Sequence, residues 1–290
     1  MTVKYWTKEQ VKLGFNLYCQ LPFGKLDQRT PEIIELAKLI GRSPGAVAMK
    51  LSNIASLDPA ITSTGRVGLI GASKLDREVW DEFHADWDRL ALECLHIHEQ
   101  LRAEKGIAQS DAIEDAEPED VDDFTGETRR VVTEQRIRQN FFRRAVLSSY
   151  RGRCCMSGLS DSRLLIASHI VPWSKDKENR LNPRNGLCLS ALHDKAFDRG
   201  LITLDDEFRV MLSRDLEKRN EAFVQQFFHP LAGQAITLPE RFVPDKGFLE
   251  RHRDVVFVDH KMTVPGFGIV VNNGFRHELL SCLMKVMRKV

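Results

Sequence analysis

No stretch of this 290-residue chain is apolar over enough residues to span a bilayer, and no apolar core of a secretory leader stands at its start. The expectation is a cytoplasmic protein with no membrane partner. The six cysteines, Cys19, Cys94, Cys154, Cys155, Cys188 and Cys282, contain no Cys-x-x-Cys pair, so no structural zinc is expected. Their unpaired usage suits a reducing compartment, and the adjacent Cys154 and Cys155 read as core thiols because neighbouring cysteines rarely bridge without strain. Internal repeats and low-complexity tracts are also missing. The formal net charge is only +1, which says little about partners, and the hydrophobic content of 42% is ordinary.

The near-zero net charge conceals a sharp switch along the chain. Ser110 to Glu127 carries Asp111, Glu114, Asp115, Glu117, Glu119, Asp120, Asp122 and Asp123. Thr128 to Arg153 then carries eight arginines against Glu134 as its only acid. An acidic run with so little to bury reads as a solvated tether between domains, here taken as 104–127. The arginine-rich stretch reads as a helix with Phe141, Phe142, Val146 and Leu147 on its apolar face.

Before the tether, residues 1–103 read as helical. Thr7 to Gln10 is a capping-box pattern, Thr30-Pro31 and Ser43-Pro44 start two further helices, and Gly41 ends the second. Tyr5 to Pro59 therefore has a helix-turn-helix-like outline, with Arg42, Ser43, Lys50, Ser52 and Asn53 as outward candidates on its third helix. A single amphipathic helix is expected from Asp76 to about Arg102, carrying Trp80, Phe83, Trp87 and Leu90.

The stretch from Arg163 to Gly200 is the densest in chemistry. Leu164 to Ala167 reads as a short buried strand delivering Ser168 and His169 to its end, and Pro172 turns the chain out into a polar loop from Ser174 to Arg184. A second strand begins at Asn185-Gly186. A helix near Ala191 then carries His193, Asp194 and Asp198. Two strands and a helix thus converge on one imidazole, which titrates near neutrality, and several metal-competent side chains.

In these residues the chain resembles the His-Asn-His (HNH) nucleases, whose ββα-metal finger has this order, and most of all their bacterial restriction-endonuclease-like branch. The matching words are Cys155-Met156-Ser157-Gly158, Ala167 to Trp173, Asn185-Gly186-Leu187, Leu192-His193 and Ala196 to Ile202. The resemblance extends upstream to Gln139–Arg143 and downstream to about Phe257. It implies an α+β protein, with a helical N-terminal domain followed by an HNH nuclease domain over 128–257; the role of 258–290 is left open. It further implies hydrolysis of DNA phosphodiesters with Mg²⁺ or Mn²⁺, in restriction or phage defence, on double-stranded DNA, with room for a homodimer.

Carried over by position, His169 takes the general base, Asn185 the asparagine that ties the loop, and His193 the metal-binding histidine. Ser168 stands where many members have an acid or a histidine, and a hydroxyl is a poor ligand for a hard cation. The metal is therefore expected on His193 with Asp198, and with Asp194 as the alternative, although five residues place His193 and Asp198 roughly 140° apart on an ideal helix. DNA-backbone contact is expected from Arg136, Arg143 and Arg144, and groove contact from Lys50 and Asn53. A fragment starting near Thr128 is expected to nick DNA by itself. The rival reading is a non-catalytic DNA-binding regulator that keeps the finger as a scaffold.

Overall fold

A computed structural model describes residues 5–63, 65, 71–106, 126–257, 261–263 and 270–272. The acidic run of 110–125 lies outside the described residues, as do two C-terminal stretches the sequence reads as ordered, the start of a strand at Phe267 and a basic amphipathic helix from about Glu278.

The first half is helical: α1 (Lys8–Gln20), α2 (Pro31–Ile40), α3 (Pro44–Ala55), α4 (Pro59–Thr62), α5 (Lys74–Ala85) and α6 (Trp87–Glu104). The Thr7 hydroxyl accepts from the Gln10 amide and the Gln10 side chain from the Thr7 amide, closing the capping box that begins α1. Gly41, at φ 67, ends α2 in the left-handed region, and Ser43 caps α3. Phe15 of α1 sits at the centre, against Tyr18, Trp80, Phe83 and Trp87.

The long helix expected from Asp76 to Arg102 is instead two. Asp86 adopts an extended conformation (φ −155, ψ 87), and its carboxylate caps α6 by accepting from the Arg89 amide at 2.9 Å. The apolar period runs unbroken across that point because Phe83 and Trp87 both face the core, so periodicity alone misses the break.

The second half opens with α7 (Gly126–Ser149), which passes under an antiparallel pair, β1 (Leu165–His169) and β2 (Gly186–Ser190). Leu164 stays outside β1, half exposed in a 3₁₀ turn. Then come α8 (Ala191–Asp198), a hairpin of β3 (Ile202–Leu204) and β4 (Val210–Leu212), α9 (Arg214–Glu217), α10 (Ala222–Phe227), α11 (Lys246–Val255) and the pair β5 (Lys261–Thr263) and β6 (Val270–Asn272). The sequence from about Leu216 to Phe228 reads as one helix, and the structure divides it into α9 and α10. No helix among the described residues is long and apolar enough to cross a membrane.

The two halves share one hydrophobic core. Trp87 of α6 meets Phe141 of α7 and Phe242 edge-on, and Ser148 of α7 donates to the Cys19 carbonyl. Arg241, fully buried, donates to the carbonyls of Tyr18, Cys19 and Leu21 at the end of α1, and its guanidinium lies over the Tyr18 ring.

His252 of α11 stacks on Phe197 at 3.7 Å, Nε2 donates to the Phe197 carbonyl and Nδ1 accepts from the Thr203 hydroxyl. Burial drives its pKa down to about 4, while an unfolded histidine titrates near 6.5. Between these values the unfolded chain binds a proton that the folded one refuses. The stability contribution is therefore complete above pH 6.5 and lost as pH falls toward 4, a change of about 3 kcal/mol. Urea midpoints measured from pH 7.5 to 4.5 should fall less steeply for His252→Gln than for wild type; parallel curves would show that His252 is not the sensor.

Candidate nuclease site

β1 and β2 pair Leu165 with Ser190 through to His169 with Gly186, so the end of β1 meets the start of β2. Side chains alternate along a strand, and Ser168 and His169 therefore leave β1 on opposite faces, toward α8 and α7 respectively.

His169 lies flat on Phe142 of α7, centroids 3.8 Å apart and planes at 8°, with Trp173 edge-on at 5.5 Å. Its Nε2 is 2.9 Å from the Arg180 carbonyl oxygen. A carbonyl can only accept, so Nε2 carries the proton and Nδ1 holds a free lone pair. Burial lowers the pKa of this imidazole and the Arg180 carbonyl offsets part of that, so the neutral form is favoured.

The stacking depends on Gly186. A Cβ there would lie 2.4 Å from Val146 Cγ2 and 2.9 Å from Phe142 Cζ. Gly186→Ala should push Phe142 out from under His169, costing about 1–3 kcal/mol of stability and most of any His169-dependent activity. Thermal melts and a rate assay check both, and an unshifted melt would refute the close fit.

Asn185 is fully buried beneath the loop. Its Oδ1 accepts from the Val171 amide at 2.8 Å, and its Nδ2 donates to the carbonyls of Val171 (3.1 Å) and Asn179 (3.3 Å). The loop is held elsewhere by Arg251, which reaches Asp176 and the Lys175 carbonyl, and by Asp88 of α6, which takes the Arg180 guanidinium at 2.9 Å.

On α8 the candidate ligands separate. His193 is buried, with Nδ1 3.4 Å from Cys154 Sγ and its ring against Phe228. Burial works to raise the Cys154 thiol, but bonds to His193, the Ser157 side chain and the Ser157 and Met156 amides bring it down to about 6. Asp194 and Asp198, four residues apart, share the other side of α8. Burial raises the pKa of both, and the charge of Asp194 raises Asp198 further; Ser168 and Lys195 ease Asp194, Lys195 and Arg199 ease Asp198. The Ser168 hydroxyl, 2% exposed, lies against Asp194 without closing a hydrogen bond of ordinary geometry. The structure thus sets Ser168 against Asp194, keeps Asp198 within charge range of Asp194 on the same side of α8, and sends His193 into the core.

The expected DNA contacts divide similarly. Arg144 is exposed, whereas Arg143 donates to the carbonyls of Leu165 (2.9 Å) and Ser162 (3.3 Å) and secures the approach to β1. Arg136 and Asn53 are half-buried. Lys50 corrects the expectation for α3: it is 7% exposed, paired with fully buried Asp76 at 2.8 Å and set beside the Trp6 ring. A groove-facing role would leave Asp76 as an uncompensated buried charge. Sequence reasoning missed Asp88 and Arg180 altogether, since nothing local marks an aspartate in the first turn of a helix as the partner of a loop arginine 92 residues away.

Residues 154–205 match the model of the HNH endonuclease family. The match takes in β1, the loop, β2, α8 and β3, and it points to nuclease chemistry for this segment. It does not reach α1–α7 or anything beyond Asp205. No curated protein matches the chain.

Proposed function

We propose that this chain is a divalent-metal-dependent DNA endonuclease in which His169 is the general base. The observation that carries the reading is the orientation of His169: Nε2–H is committed to the Arg180 carbonyl, so Nδ1 is left to take a proton from water. Phe142 and Trp173 fix the ring plane, and Asn185 fixes the loop that supplies the carbonyl.

Asp194 and Asp198, with Ser168 beside them, fit a hard divalent cation. All are oxygen donors, both carboxylates are raised by burial, and a buried hydroxyl waits without a partner. Among the described residues no third His, Cys, Asp or Glu joins them, so the remaining ligands of a bound cation would have to be water and a substrate phosphate. A bound Mg²⁺ or Mn²⁺ would supply charge stabilisation of the departing oxygen. His193 is better read as the partner of Cys154 that anchors α8.

Exposed Arg144, with Arg136 on the same helix, is assigned to the DNA backbone. α2, the Gly41 turn and α3 keep the outline of a helix-turn-helix, and any reading of bases by it rests on Asn53 and its neighbours without Lys50. Restriction of foreign DNA is the biological role most in keeping with this chemistry.

The test is supercoiled plasmid with the full chain and Mg²⁺ or Mn²⁺, with and without chelator. Metal-dependent nicking is expected; binding without cleavage under every metal would favour a regulator. Mn²⁺ should also raise the melting temperature of wild type but not of Asp194→Asn or Asp198→Asn. His193→Ala should keep the metal-induced rise on a less stable protein; loss of that rise would return His193 to the ligand set.

A further inference from the structure

We infer that Asp88, in the helical N-terminal half, is a positioning residue for His169, acting through Arg180. The inference rests on the proposed role of His169 and adds a residue that the matched segment does not contain.

Arg180 serves His169 twice. Its carbonyl accepts from Nε2 at 2.9 Å, and its guanidinium lies over the Trp173 ring at 5.3 Å, the same ring that stands edge-on to His169. From Pro172 to Asn182 the chain forms no helix or strand, so the position of that carbonyl is set by the side chains that tie the loop down. Asn185 ties it at Val171 and Asn179, and Arg251 at Lys175 and Asp176. The tie at Arg180 itself is Asp88, whose Oδ2 accepts from Nη2 at 2.9 Å.

Asp88 also meets Arg138 of α7, with 3.0 Å between Oδ1 and Nε. One carboxylate therefore holds together a guanidinium of the loop and one of the helix on which His169 is stacked. Without it the two cations face each other, and the loop loses its tie at Arg180. The three side chains are each about one-fifth exposed and the facing atoms Asp88 Oδ1, Arg138 Nε and Arg180 Nε are buried, so removing the carboxylate also costs stability. A small shift of a hydrogen-bonding carbonyl against a catalytic imidazole adds a loss of rate in the folded protein.

The experiment uses the full chain with Asp88→Ala, Asp88→Asn and Asp88→Glu. Nitrogen chemical shifts of labelled histidine, with His169 assigned by its loss in His169→Gln, report which ring nitrogen carries the proton. Wild type should be the Nε2–H form. Asp88→Ala and Asp88→Asn should give a mixture of tautomers, and Asp88→Glu should restore wild type.

On plasmid, at a temperature where the variant stays folded, kcat should fall ~10- to 100-fold in Asp88→Ala with KM and DNA affinity nearly unchanged, on a protein of lower melting temperature. Adding Asp88→Ala to Arg180→Ala should cost nothing further. An unchanged tautomer and rate in Asp88→Ala would overturn the inference. So would faster cleavage with tighter DNA binding, which would make Asp88 a counter-charge that keeps DNA from the arginines. The tautomer needs no activity to be read: an inactive wild type whose tautomer depends on Asp88 removes the nuclease reading and keeps this one, and an active wild type indifferent to Asp88 does the reverse.

Discussion

His169→Ala should abolish plasmid cleavage while leaving DNA affinity and the melting curve close to wild type. The imidazole is the one group at the end of β1 with a free lone pair turned away from a committed N–H, and removing a general base typically costs about 10²–10⁴-fold. Its side chain stacks on Phe142 from a half-buried position, so truncation opens a shallow gap and not a core cavity. Cleavage should be followed on supercoiled plasmid with Mn²⁺, and binding by gel shift with the metal chelated. Wild-type cleavage by the mutant would end the mechanism. Loss of binding together with cleavage would mean that His169 holds the fold or the DNA and not the proton.

The second large effect concerns the joint between the halves. Arg241→Ala should destabilise the whole chain by about 3 kcal/mol or more, because it strips a buried charged donor from the carbonyls that end α1, leaving that of Leu21 without its donor and those of Tyr18 and Cys19 with one partner fewer. Tyr18, beneath that guanidinium, itself donates to Asp58 at 2.8 Å, so the loss reaches into the N-terminal core. A fragment starting at the head of α7 carries the same defect from the other side, with Arg241 stripped of the α1 carbonyls and Phe141 uncovered. The fragment is therefore expected to be poorly folded, in place of the self-sufficient nuclease that the tether suggested. Urea unfolding of Arg241→Ala and far-ultraviolet dichroism of the fragment test this. A folded, soluble fragment, or a variant of unchanged midpoint, would show that the halves are independent.

Much of the local structure could be read directly. Thr7 with Gln10, Ser43 with Pro44 and Gly41 mark helix ends through hydrogen bonds and backbone angles that involve only a few neighbouring residues. The run from Leu165 to Asp198 announces strand, loop, strand and helix for the same reason, and it brings His169 and Asn185 to the same end of the β1–β2 pair.

What escaped reading depends on burial and on partners far along the chain. Lys50 reads from its position on α3 as an outward base-reader, but it is buried against Asp76. Which of His193, Asp194 and Asp198 faces Ser168 turns on how α8 rotates against β1, and that is set by packing around Phe197 and Cys154. The break at Asp86 is a backbone turn that the apolar period does not register. The amino-acid sequence by itself determined the elements and the chemistry available at the end of β1, since both arise from contacts a few residues apart. Only the tertiary structure decided which side chains meet, joining Asp88 to Arg180 and Arg241 to the end of α1, because those pairings follow from how the two halves bury their apolar faces against each other.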